Sequence, residues 1–189
     1  MLSVDEAARQ WDQALAKRIG EAVKHRRNEL GWPQQRLAEV TARLGYPLTG
    51  VVISQIETNA RGGRVDVAEI VVLAAAMFVP PVQLLYPDLV DGTVDLLPGC
   101  TTSSIRAVEW FSGNVEPLAT GGDTDEEDGF LMWEAGARPT MLSRRLDELR
   151  RTVSALPDGD AAEAVRDEIA ALTTQARRSG LTVDATTRD

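Results

Sequence analysis

The segment Leu48–Gly62 constrains the fold more than any other part of the chain, because it predicts a helix that is too short to be stable alone. Thr49 is a suitable N-cap, since its side-chain oxygen can accept a hydrogen bond from a backbone N–H of the first turn. Leu48 and Ile53 occupy the two positions of a hydrophobic staple. Other helices must therefore pack against this one.

The outward face of this short helix is predicted to carry small side chains and one amide: Gly50, Val51, Ser54 and Gln55. The apolar residues between them are predicted to enter a core. A glutamine amide can pair with adenine in the major groove of DNA, and a valine can contact the methyl group of thymine. These four residues are therefore candidate base contacts.

The charge distribution supports a nucleic-acid partner, although the formal net charge of the chain is −9. Residues 17–64 contain nine Lys or Arg and four Asp or Glu, whereas residues 65–135 contain one Arg and thirteen acidic residues. Such asymmetry is typical of a protein in which one part contacts phosphate and another does not. An accident of surface composition is the alternative.

The sequence favours neither an enzyme nor a cofactor-binding protein. Cys100 is the only cysteine, which excludes an internal disulfide and a multi-cysteine metal site. No glycine-rich phosphate loop is present, and His25 is the only histidine that could activate a nucleophile. The N-terminus lacks the apolar region of a signal peptide, and the longest apolar run, residues 71–81, is too short to span a bilayer. We therefore expect a cytoplasmic protein without a metal or cofactor.

Hydrophobic periodicity predicts an all-α fold for the first half of the chain. An amphipathic helix is expected within residues 1–19 and continues the apolar stripe into the next helix, which Gly31 ends. Asp66 and Glu69 form the capping box of a later helix. That helix is predicted to bury Val67, Ile70, Val71, Ala74, Met77 and Phe78. Two prolines then lead into a short helix that ends at Tyr86.

The rest of the chain is predicted to be mainly helical. Residues 88–129 are interpreted as a connector in which 93–97 is either a strand or an extended linker, 104–111 is a short helix, and 120–129 is a disordered or solvent-exposed acidic linker. Residues 130–180 show the 4-3-4-3 spacing of a helical hairpin, with Asp160 as a cap after the turn. The hairpin either folds on the first domain or pairs with a second chain, and we favour a homodimer. Residues 181–189 form a tail.

Three motifs occur in the order that is characteristic of the Xre family, the Cro and lambda-repressor type of helix-turn-helix regulator. They are Gln-x-x-Leu-Ala at 34–38, Ile-x-x-Ile-Glu at 53–57 and Val-Pro-Pro-x-x-Leu-Leu at 79–85. The resemblance covers residues 17–87 and implies a five-helix lambda-repressor-like DNA-binding domain, in a family rich in phage repressors. The link between Leu37 and Ile53 exceeds the family's usual tight turn, which predicts a longer second helix and a wider turn.

The resemblance also implies residue roles. The family's base-reading positions are matched by Val51, Gln55 and Gly50, and Ser54 is a further candidate base contact. Its phosphate-contacting positions are matched by Gln34 and Thr49. Arg27 and Glu57 match a buried ion pair. Further phosphate contacts are expected in the loop after the short helix, at Thr58, Asn59, Arg61 and Arg64.

The implied function is sequence-specific binding of double-stranded operator DNA as a transcriptional regulator, by default a repressor that acts through occupancy. Operators of this class are commonly read by two-fold dimers. One alternative is an antitoxin-type module that binds a protein partner through the C-terminal region. Another is an activator that contacts polymerase through the acidic segment.

Overall fold

The computed structural model describes residues 3–115 and 126–183. The described residues form eight helices and a two-stranded sheet, so the expectation of a mainly helical protein is confirmed. The elements are α1 (Val4–Glu29), α2 (Gln34–Arg43), α3 (Gly50–Glu57), α4 (Val67–Ala76), α5 (Pro81–Leu85), β1 (Thr93–Leu97), β2 (Cys100–Ser103), α6 (Ser104–Phe111), α7 (Glu126–Ala155) and α8 (Asp160–Arg178). The chain divides into two compact units, residues 1–112 and 113–189. None of the described helices is long and apolar enough to cross a membrane.

Helix α1 is continuous, so the N-terminal helix and the one expected after it are a single 26-residue element. A capping box between Ser3 and Glu6 begins it. At its end Gly31 adopts φ +66°, and the N–H of Trp32 donates to the carbonyl of Arg27 at 3.0 Å. This is the hydrogen bond of a Schellman motif, so Gly31 ends the helix as its sequence position predicted.

Helices α1 to α5 surround one hydrophobic core in the first unit. Side chains from four of these helices are completely buried in it: Val23, Leu37, Ile53, Leu73 and Met77. The core side of α3 is thus covered mainly by α1 and α2. Burial of an apolar side chain of this size stabilises the fold by about 1.5–3 kcal/mol, so this packing is what holds the short α3 helical.

The predicted buried face of α4 was partly wrong. Ile70, Ala74 and Met77 are buried, but Val67 and Phe78 are 75% and 76% exposed, and Val71 is also exposed. Leu73 and Ala76 are buried in their place. Because α4 is apolar around most of its circumference, periodicity could not identify the side that faces the core.

Residues 93–103 form an antiparallel hairpin rather than an extended linker. Val94 of β1 pairs with Thr102 of β2, and Val94 and Leu96 are buried. The indole N–H of Trp11 donates to the carbonyl of Asp95 at 3.1 Å, which ties the hairpin to α1. The segment interpreted as a connector therefore lies, as far as residue 112, within the first unit.

The second unit contains the predicted helical hairpin, since α7 and α8 pack against each other. Leu142, Leu146 and Leu149 are buried along the α7 side of the contact. Two details of the prediction were wrong. The last four residues of the expected acidic linker, 126–129, are the start of α7, while 120–125 lie outside the described residues. Asp160 is the first residue of α8 and Gly159 is its N-cap.

Candidate nucleic-acid interface

Helix α3 is positioned by a close approach to α1. A Cβ atom added at Gly20 would lie 2.2 Å from the carbonyl oxygen of Ile56, so only glycine allows the two backbones to come this close. At the other end of α3, the Thr49 hydroxyl accepts a hydrogen bond from the N–H of Val52 at 3.3 Å. Ile53 and Ile56 are buried. Both ends and one face of the helix are therefore fixed by the fold.

A buried polar cluster, which we call the Glu57 cluster, joins α1, α2 and α3. Arg27 donates to both carboxylate oxygens of Glu57, from Nε to Oε1 at 2.6 Å and from Nη2 to Oε2 at 2.9 Å. The side-chain amide of Gln34 donates to Oε2 at 2.8 Å. Arg27 and Glu57 are both buried, and the hydrogen bonds to Glu57 raise the pKa of the Arg27 guanidinium above its ordinary value. The ion pair that the resemblance implied is thus formed, with Gln34 as its third member.

The outward face of α3 is open to solvent. Val51 is 67% exposed and Gln55 is exposed, while Gly50 and Ser54 are half-buried. A Cβ atom added at Gly50 would make only an ordinary contact, at 3.9 Å from Oε1 of Gln35. The four candidate base contacts therefore remain on the surface of the first unit, and two of them, Val51 and Gln55, are exposed.

The loop after α3 uses most of its polar side chains within the protein. The Thr58 hydroxyl donates to the carbonyl of Ser54 at 2.7 Å. The Asn59 amide donates to the carbonyl of Gln13 at 3.3 Å and its oxygen accepts from the N–H of Gly63 at 3.0 Å. These contacts hold the loop against α1, so Asn59 is engaged before any ligand arrives.

The two arginines expected to contact phosphate are in different situations. Arg61 donates to both oxygens of the buried Glu69 carboxylate, at 2.7 and 2.9 Å. Glu69 also accepts from the N–H of Asp66 in the capping box of α4. Arg64 is exposed and makes no hydrogen bond or ion pair with any described residue. Its guanidinium is available to an anion, whereas that of Arg61 is held by the fold.

The start of α2 has unsatisfied backbone donors. Its N-cap is Pro33, and no side chain among the described residues caps the helix. Gln34 is half-buried because its amide turns towards Glu57, whereas the neighbouring Gln35 is exposed. Sequence reasoning missed Gln35, because two adjacent glutamines give no signal of which one faces inward.

The described residues offer no site for a metal ion, since no three His, Cys, Asp or Glu side chains in that part of the chain lie together. Comparisons of the chain with protein-family models, with curated proteins and with solved structures found no match. The surface therefore offers the chemistry of its own residues: an exposed amide and valine on α3, free backbone donors at the start of α2, and Arg64, which pairs with no described residue.

Proposed function

We propose that the first unit is a DNA-binding domain of the helix-turn-helix type, in which α3 lies in the major groove of double-stranded DNA. The observation that carries this proposal is the exposure of Val51 and Gln55 on a helix that is fixed from behind by the Glu57 cluster. Direct readout requires side chains that reach base edges on an element whose position does not change. The protein would act as a transcriptional regulator, and by default as a repressor that occupies its operator.

Phosphate contacts in this proposal come from the N-terminal ends of α2 and α3, with Thr49 and Arg64 around them. Thr58 is not among them, because its hydroxyl already donates to the carbonyl of Ser54. Helix N-termini present free N–H groups and a positive dipole end to anions. Gln34, Asn59 and Arg61 are assigned instead to positioning the surface, because their side chains are bound within the fold. With few polar base readers, part of the specificity is expected to come from DNA shape. Binding should weaken as salt rises, because each cationic side chain that contacts a phosphate, such as Arg64, releases a condensed counterion.

Selection of double-stranded DNA from a random library by the full chain, followed by Gln55→Ala, tests the proposal. We expect wild type to select a defined sequence and Gln55→Ala to lose about 1–3 kcal/mol of discrimination at one base pair. Gln175→Ala, an exposed glutamine of α8, is the matched control. If Gln55→Ala keeps the same preference among operator variants, the assignment of the reading helix is wrong.

A protein partner for the second unit is supported by the apolar side chains exposed at the start of α7. Phe130, Leu131 and Met132 are 46%, 54% and 71% exposed. We propose that this unit pairs two copies of the chain in the cytoplasm, so that the dimer reads two half-sites. Sedimentation at micromolar concentration tests this, and a monomer with an asymmetric DNA footprint would contradict it.

An antitoxin-type function is the alternative, and a co-purifying partner that occupies the second unit would favour it.

A further inference from the structure

Gln35, on the first turn of α2, lies beside the start of α3. Its side-chain oxygen is the atom that a Cβ at Gly50 would meet first, at 3.9 Å. Gly50 itself has no side chain, although it occupies an outward position on the first turn of α3. The amide of Gln35 therefore borders the space that a side chain at position 50 would fill.

The two adjacent glutamines of α2 have separate environments. Gln34 donates from Nε2 to the buried carboxylate of Glu57 at 2.8 Å. Gln35 is exposed, and its side chain makes no hydrogen bond with any residue that the structure describes. Of these two glutamines, therefore, only Gln35 has both its amide donor and its amide acceptor available to a ligand.

We infer that Gln35 is a specificity-determining residue, which reads a base edge next to the gap left by Gly50. This inference rests on the proposed function and adds a reader from α2 to those on α3. A free primary amide can donate to N7 and accept from the N6 amino group of adenine, so the preferred base is adenine. Gly50 keeps the path from Gln35 to the groove open.

The test compares Gln35→Ala and Gln35→Glu with wild type, on the DNA sequence that wild type selects and on all its single base-pair variants. Gln35→Ala should lose about tenfold or more discrimination at one A·T pair and leave the other pairs unchanged. Gln35→Glu should shift the preference at that pair towards cytosine, because a carboxylate accepts from the cytosine amino group. Gln10→Ala, an exposed glutamine on α1, is the matched control and should change nothing.

A second variant, Gly50→Ala, addresses the same contact from α3. The added Cβ makes only an ordinary contact, so the protein should fold normally. We expect it to reduce discrimination at the same base pair, and its effect should not add to that of Gln35→Ala because both act on one contact.

Two results would overturn the inference while leaving the proposed function in place. In the first, Gln35→Ala leaves the discrimination at every pair unchanged. In the second, Gln35→Ala weakens binding to all sequences equally, which would identify Gln35 as a phosphate contact. The salt dependence should stay the same in that case, because the glutamine amide carries no charge. If wild type selects no sequence at all, the proposed function fails and this inference fails with it.

Discussion

The two units hold their helices together by different means. In the first unit α1 meets α3 through a backbone contact at Gly20 and again through the buried pair of Arg27 and Glu57. In the second unit α7 meets α8 along a row of leucines, and the ion pair that crosses between them, Arg145 with Glu168, has side chains that are 46% and 44% exposed. The contact between α1 and α3 therefore ends in a buried ion pair. The contact between α7 and α8 is apolar, and its ion pair is exposed to solvent.

This difference determines how each unit should respond to a change. A close backbone approach and a buried charge pair each permit one geometry, because any displacement leaves a clash or an unpaired charge. A leucine seam with exposed charges can adjust by small rotamer changes, and the charges can be solvated by water. Helix α3 is therefore fixed more strictly than α8, as a surface that reads DNA would require.

The largest expected contrast is between Arg27→Met and Arg145→Met. Loss of Arg27 leaves Glu57 buried without its cation, which should cost roughly 3–5 kcal/mol of unfolding free energy. Loss of Arg145 removes an exposed pair whose charges water can solvate, so the urea midpoint should stay close to that of wild type. Urea unfolding followed by circular dichroism measures both.

A double variant, Arg27→Met with Glu57→Leu, controls for the loss of packing at this position. It should recover much of the stability, because no charge is left buried alone. Equal and small losses for Arg27→Met and Arg145→Met would show that the Glu57 cluster is not what fixes α3.

The next contrast uses a glycine in each unit. At Gly20 an added Cβ would lie 2.2 Å from the Ile56 carbonyl oxygen, and at Gly136 in α7 it would meet nothing within 4 Å. Gly20→Ala should therefore destabilise the protein by about 1–3 kcal/mol by overpacking. Gly136→Ala should stabilise it by roughly 0.5–1 kcal/mol, because alanine favours the helix. Thermal unfolding of the two variants should shift in opposite directions, and a shift in the same direction would refute the contrast.

Local signals made the helix ends predictable from the sequence. The Thr49 cap, the capping box at Asp66 and the stop at Gly31 each depend on residues within one turn of one another, and all three are formed. The leucine spacing of α7 likewise predicted the buried side of the hairpin. These contacts join residues close together in the chain, which is why the sequence predicted them, although it misplaced the start of α8 by one residue at Asp160.

Contacts between distant segments were not predictable in the same way. Arg61 was expected to meet phosphate but meets Glu69, since nothing in a loop sequence distinguishes a carboxylate of the fold from an anion outside it. The choice between Gln34 and Gln35 depends on where Glu57 lies in space. Strand β2 was missed because Thr and Ser give no apolar alternation, although Pro98-Gly99 is a turn signal that marks the hairpin.

The smallest expected contrast concerns the starts of helices, which are capped differently in the two units. In α1 both the backbone N–H and the hydroxyl of Ser3 donate to the Glu6 carboxylate, at 2.9 and 3.0 Å. These two bonds lower the pKa of the Glu6 carboxyl, and the backbone bond has the larger effect. Among the residues that the structure describes, no side chain caps α8 at Gly159. Because the folded pKa of Glu6 is depressed, its contribution to helix stability is present above the unfolded pKa and is lost as pH falls through the folded value.

An NMR titration of Ser3→Ala should therefore show the pKa of Glu6 rising part of the way towards the ordinary value of a glutamate, since the stronger backbone bond remains. The neighbouring Asp5 serves as the control, and an unchanged Glu6 titration would show that the Ser3 hydroxyl does not stabilise the start of α1.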